Sequence, residues 1–285
     1  MGIGTRPRIQ KQYQERQTMK HPIWAETLFH KLIDTIYSLI PQPFPGKKLI
    51  ESCKIVSHRG EHDNLTVFEN TLSAFDIVRD NGIWGIELDI RWTKDLYPVV
   101  FHDKNLKRVF HLPITLQEVT LAELKKACPA IPSLEEVVSR YGKSLHLMVE
   151  IKEEKYPDPE RQNQIMKDIF SPLTPANDYH FVSLTPHMFR LFNFPPGPAY
   201  LPIAQLNMQY CSELAARENY GGMNGQYFLI KNSLVQKHRA MGQNIGTGFI
   251  SSRNVLFREL SRGVEWLFTN HAVEMQKICN YYLSI

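Results

Sequence analysis

The sequence predicts an α/β chain folded as a (β/α)8 barrel of the TIM type, with a small insertion after the second strand and an N-terminal helical extension. Three observations lead there. From Lys54 onward short β-rich runs alternate with helical periodicities, the pattern of a parallel sheet with crossover helices. Eight of those runs qualify as barrel strands. A length of 285 residues, 43% of them hydrophobic, is enough for one core of that size. A doubly wound open sheet is the alternative.

Residues 1–50 read as the extension. Within it Trp24, Leu28, Leu32, Ile36 and Ile40 recur at helical spacing and stop before Pro41, which marks an amphipathic helix over about 22–40. Its polar face carries few basic groups, so packing on the main domain is the simpler reading and contact with a membrane surface the alternative. The main domain runs from 51 to 285. Its predicted strands are KIVSH, WGIELDI, SLHLMVEIK, YHFVSL, AYLPIA, QYFLIK, NIGTGFIS and EWLFTN, with YPVVFHD as a hairpin partner of the second. Helices lie between them, stopped by Gly82, Gly142 and Gly263, and Ser133 with Glu136 has the spacing of a capping box. The stretch 104–132 is too long for a simple connection and reads as the insertion.

Composition narrows the partners. The formal charge of +4 is spread without any block of like charges, which argues against nucleic acid but allows a small phosphate-bearing molecule. Cys53, Cys128, Cys211 and Cys279 stand far apart with no CxxC pair, so a reducing, cytoplasmic setting is expected, at most peripheral to a membrane. Glu26, His30, Lys31 and Asp34 interrupt the N-terminal apolar segment and argue against a secretory leader or a spanning helix. Arg6 stands where a myristoylated Gly2 would need Ser or Thr. Oligomeric state is not legible.

In such a barrel the chemistry sits at the C-terminal ends of the strands. The first strand ends in His58-Arg59-Gly60, the second bears Glu87 and Asp89, the hairpin partner ends in His102-Asp103, and the third bears Glu150 and Lys152. Residues i and i+2 of a strand share a face, so both members of each strand pair can point into the barrel. Glu87, Asp89 and Glu150 would repel one another there unless a cation held them, and an all-oxygen set favours Mg²⁺ or Ca²⁺ over zinc. Ordinary salt bridges to nearby Arg and Lys are the other possibility. His58 and His102 are the candidate acid and base, and Arg59 and Lys152 the candidate phosphate ligands. His62, His111 and His271 have no comparable setting.

The ordered motifs HRG, ENTLSAF, IELDIRWTKD, VVFHDKNLKR, IPSLEEVV and VEIK resemble the glycerophosphodiester phosphodiesterase family, most strongly from Ile55 to Lys152, with weaker matches at HFVSLTPHMFRLF and RGVEWLFTNHA. The resemblance implies a barrel with an insertion, a bound Mg²⁺ or Ca²⁺, and hydrolysis of a glycerophosphodiester to glycerol 3-phosphate and an alcohol. It also implies acid–base roles for His58 and His102, metal ligation by Glu87, Asp89 and Glu150, and phosphate contacts for Arg59 and Lys152. Glu69 and Asn70 match the family's Glu-Asn, with supporting roles. Phe68 stands where the family commonly has Pro, and Leu96 where it has Gly. On the seventh barrel strand Gly246, Thr247, Gly248 and Phe249 replace a stretch that carries Trp in many members. That change implies a wider mouth, and with it an acylated substrate such as a lysophospholipid, or a barrel that binds phosphate without cleaving it, as alternatives.

Overall fold

The computed structural model describes residues 32–285. Trp24 and Leu28 of the predicted N-terminal helix lie outside the described residues, and residues 32–39 are helical. Two compact units divide the chain, ending at Pro41 and beginning at Gln42. Among the described residues no helix is long and apolar enough to cross a membrane.

In the second unit, nine strands follow in chain order: β1 (Lys54–His58), β2 (Gly85–Trp92), β3 (Pro98–Val100), β4 (His146–Ile151), β5 (Tyr179–Ser183), β6 (Tyr200–Ala204), β7 (Gly222–Gln226), β8 (Asn244–Gly248) and β9 (Trp266–Thr269). All but β3 are parallel, and pairing of β1 with both β2 and β9 closes them into the predicted barrel. β3 returns antiparallel on the end of β2, where Val100 pairs with Ile90 and Pro98 with Trp92. Both faces of β2 and β4 are buried throughout, which is why they read as near-continuous apolar runs broken only by the site residues.

The barrel interior is filled below the site by Val56, Met148, Val182, Leu201, Trp266 and Phe268. Residues 104–132 form a second cluster in which Leu106, Val109, Leu116, Leu124, Cys128 and Ile131 pack with Val99 and Phe101. The insertion therefore has an apolar footing on the loop that carries His102. Ser133 and Glu136 make the expected capping box at the helix Leu134–Tyr141, and Thr120 with Glu123 make a second one at Leu121–Ala127.

One predicted strand is displaced. QYFLIK is not a strand beyond Gln226; the preceding GMNGQ is β7. Glycine makes that stretch look like a turn, but the barrel needs it small. A Cβ on Gly222, at φ +142, would stand 1.7 Å from the Asn244 carbonyl oxygen, and one on Gly225 would stand 2.7 Å from Met208 Cε. The apolar residues that follow serve packing, with Tyr227 and Ile230 buried.

Candidate active site

β1, β2 and β4 deliver the predicted cluster. His58 pairs in register with Glu87, and Asp89 with Glu150, so neighbouring strands hold the four side chains at one end of the barrel. Carboxylate oxygens of Glu87, Asp89 and Glu150 lie within 4.8 Å of one another, and all three residues are buried. Lys152 Nζ reaches Asp89 Oδ1 at 2.5 Å and Glu150 Oε2 at 2.7 Å, while Arg59 Nε lies 3.2 Å from Asp89 Oδ2. Two of the three carboxylates are thus in ion pairs. Glu87 is different: its Oε2 is buried without a hydrogen-bond partner, 3.8 Å from His58 Nε2.

The electrostatics follow from that packing. Burial pushes Glu87 well above the usual carboxylate range, with Asp89 and Glu150 adding to the effect. Burial likewise raises Glu150, to about 7, against the pull of Lys152. At Asp89 burial is outweighed by Lys152 and Arg59, which hold its carboxyl well below the ordinary range. An orphaned buried carboxylate oxygen, an oxygen-only donor set and two carboxyls whose ionised forms burial disfavours all fit a hard divalent cation.

Each histidine is oriented by a second group. His58 Nδ1–H donates to Asn270 Oδ1 at 2.7 Å, and the ring packs edge-on against Phe249 at 4.6 Å between centroids. His102 Nδ1–H donates to Asp103 Oδ1 at 2.6 Å. Both rings therefore present a bare Nε2. Burial, with help from the Arg59 guanidinium, pushes His58 down to about 3; burial also lowers His102, against the opposing fields of Asp89 and its partner Asp103. His102 lies two residues beyond the end of β3, its loop fixed by Phe101 N–H donating to the Asp89 carbonyl.

Arg59 occupies the left-handed region at φ +61, which costs a residue with a Cβ about 1–2 kcal/mol. Two backbone bonds hold it there: its N–H donates to the Glu87 carbonyl at 2.8 Å, and the Asn70 N–H donates to its own carbonyl at 2.9 Å. Asn70, itself at φ +57, donates from Nδ2 to Asp89 Oδ2 at 2.8 Å and so orients that carboxylate. Glu69 does not join the three clustered carboxylates. It accepts from Arg59 Nη1 at 3.0 Å and from Arg108 at 2.6 and 2.9 Å, and these cations, working against burial, bring its carboxyl down to about 2. Arg108 also donates to Asp103 at 2.7 Å.

Residues 58–185, which contain the whole cluster apart from Phe249 and Asn270, match the model of the glycerophosphoryl diester phosphodiesterase family. Over that stretch the chain is similar to the family. A glycerophosphodiester phosphodiesterase of Caldanaerobacter subterraneus is 26% identical over 235 residues, which cover 76% of this chain and 93% of that one. A Bacillus subtilis relative named as a putative glycerophosphodiester phosphodiesterase is 37% identical over 109 residues, so the alignment spans only 44% of its length and 34% of this chain. The fold is shared with the Thermotoga maritima glycerophosphodiester phosphodiesterase, at a TM-score of 0.67 and 23% identity over 79% of this chain and 98% of the other. It is shared too with an Oleispira antarctica phosphodiesterase whose structure holds sn-glycerol-3-phosphate, at a TM-score of 0.64 and 20% identity over 80% and 96%.

Asn270, Asp103, Arg108 and Phe249 join the cluster although none was among the candidate catalytic, metal or phosphate residues of the sequence; Phe249 was noted there only as part of the stretch that replaces Trp. Asp103 had a signal in its adjacency to His102. Asn270 had one as the residue that follows the last strand. Arg108 and Phe249 come from the insertion and the β8 loop, and only the folded chain brings them to the cluster.

Proposed function

We propose that this protein hydrolyses glycerophosphodiesters to glycerol 3-phosphate and an alcohol, in a reaction that depends on a divalent cation held by Glu87, Asp89 and Glu150. The observation that carries the reading is the convergence of that carboxylate trio with two bare imidazole Nε2 atoms and two cationic side chains at one barrel end. When bound, Mg²⁺ or Ca²⁺ would supply Lewis acidity toward a phosphoryl oxygen and favour the deprotonated nucleophile.

The protein's own groups do the rest. Arg59 and Lys152 supply positive charge for the nonbridging oxygens, Arg59 with a planar fork suited to two of them. His58, backed by a neutral amide, keeps its lone pair and is the group suited to take the nucleophile's proton at Nε2. His102, backed by the Asp103 carboxylate, is the one better able to hold a proton at Nε2 and pass it to the leaving alkoxide. Glu69, Asn70 and Arg108 position Arg59, Asp89 and Asp103, and touch no reacting atom in this scheme.

The lysophospholipid reading has one observation in its favour. A Cβ added at Gly248 would meet nothing nearer than Phe268 Cβ at 3.4 Å, so the β8 side of the mouth has space where many family members place Trp. Leu184 and Leu206, just after β5 and β6, are exposed at the same end of the barrel. We hold it second, because the charged half of the site needs only the phosphodiester.

The cation assignment is open to a direct test. Mg²⁺ or Ca²⁺ added to chelator-treated protein should raise the midpoint of thermal unfolding, since a ligand bound only by the folded state stabilises it by mass action. Glu150→Gln should abolish the rise. An equal rise in the variant would remove Glu150 from the site.

A further inference from the structure

A cavity of about 230 Å³ lies beside the cluster, lined by Arg91, Lys104, Thr115, Gln117, Glu154 and Lys155, with Leu116 at its back. Its lining comes from β2, from the chain after β4 and from the insertion, three segments that meet next to His102. Arg91 lies two residues beyond Asp89 on the same face of β2, and its Nε donates to the His102 carbonyl at 3.0 Å. Arg91, one of the cavity's lining residues, therefore ties it to the backbone of the histidine assigned above to the leaving alcohol. The cavity's volume is below the roughly 300–1,000 Å³ of a pocket that takes a whole drug-sized ligand, so it suits one part of a substrate.

The charges say which part. Arg91 is committed to Glu154 through Nη1 to Oε2 at 3.0 Å, with both side chains buried, and that pair is neutral overall. Lys104 and Lys155 are left over, and neither forms an ion pair among the described residues. Thr115 and Gln117 add neutral donors and acceptors; Gln117 Nε2 already donates to the Lys155 carbonyl at 3.3 Å, which fixes the wall. No aromatic ring lines the cavity, so it lacks the surface that a quaternary ammonium prefers. We propose that this cavity is the subsite for the alcohol half of the diester and that it selects an anionic, hydroxyl-bearing headgroup over a cationic one.

The inference rests on the phosphodiesterase reading, and two measurements separate their failures. The first compares turnover of glycerophosphoinositol 4-phosphate and glycerophosphocholine by the wild type and by the double variant Lys104→Gln, Lys155→Gln. The wild type should prefer the phosphorylated inositol diester. The variant should lose about tenfold in kcat/KM for it, the least that two charge-assisted contacts should supply, while glycerophosphocholine is cleaved as before. The second is calorimetric titration of inositol 4-phosphate into chelator-treated protein, in which affinity should fall about tenfold in the variant. Loss of that binding in the variant with no turnover of any diester would overturn the phosphodiesterase reading and leave the anion subsite standing. Equal kcat/KM changes on both diesters, or binding of inositol 4-phosphate that the two substitutions do not weaken, would overturn the subsite.

Discussion

Two imidazoles that look alike in the sequence differ in what stands behind them. Asn270 offers His58 an uncharged acceptor, whereas Asp103 offers His102 a carboxylate that Arg108 holds in place. The pairing predicts different responses to the leaving group. His102→Ala should cost about 10²–10⁴-fold in kcat on a diester with a poor alkoxide leaving group, and should recover most of it on the p-nitrophenyl ester of glycerol phosphate. His58→Ala should be as slow on both esters. If the activated ester rescued His58→Ala and not His102→Ala, the two roles would be reversed. The convergence of Glu87, Asp89, Glu150 and Lys152 was legible because alternate residues of a strand face one way, whereas Arg59 reaches them only through its left-handed turn after β1. Asn270, which orients His58, was not legible, because it is 212 residues from His58 along the chain and only barrel closure joins them.

At the scale of elements, β7 shows where pattern reading fails. Strand recognition looks for β-branched and aromatic residues, but here the neighbouring backbone excludes any side chain at Gly222. Gly222→Ala should cost at least about 4 kcal/mol, read as a collapse of the urea midpoint or failure to fold, since a Cβ would meet β8 backbone that cannot move aside. Gly82→Ala is the control: its φ of +66 is unfavourable for alanine, but a Cβ there meets nothing within 4 Å, so about 1–2 kcal/mol is expected. A comparable cost at both positions would mean that backbone conformation, and not the tight approach of β7 to β8, explains the glycines. The insertion illustrates the opposite case. Its length alone marked it out, and its apolar residues form the cluster that supports the His102 loop.

Over the whole molecule, the barrel end opposite the site carries a pH dependence of its own. His146 Nδ1–H donates to the Asn177 carbonyl at 2.9 Å, and its Nε2 accepts from His180 Nδ1–H at 2.8 Å, so both rings are neutral in the folded state. Trp84 stacks on His146 at 4.2 Å, and Trp266 lies against His180. Burial lowers His146 to about 4 and His180 well below its ordinary value; Lys54 adds to both shifts, while the Asn177 carbonyl and Asp178 oppose the one at His146. The unfolded chain therefore takes up protons that the folded rings refuse. The stability this contributes is complete above about pH 6.5 and drains away as the pH falls toward 4, by about 3 kcal/mol for His146 alone. Urea midpoints should drop between pH 7.5 and pH 5, and the drop should be smaller in His146→Gln. An identical drop in the variant would assign the acid sensitivity to other groups.

The barrel was predictable as a whole because alternation of strand and helix survives local errors such as the displaced β7. The clustering of charged side chains was predictable because they fall at strand ends, where burial makes an unpaired charge costly. What joins these scales is the claim that the carboxylate trio and the two histidines act together on a glycerophosphodiester. Phosphorus NMR of purified protein with glycerophosphocholine, glycerophosphoethanolamine, glycerophosphoinositol and lysophosphatidylcholine, each with Mg²⁺ or Ca²⁺ and with chelator, tests it most directly. The account predicts glycerol 3-phosphate from at least one soluble diester, only when the cation is present. Unchanged spectra for every soluble diester with either cation, from protein that is folded, would contradict it.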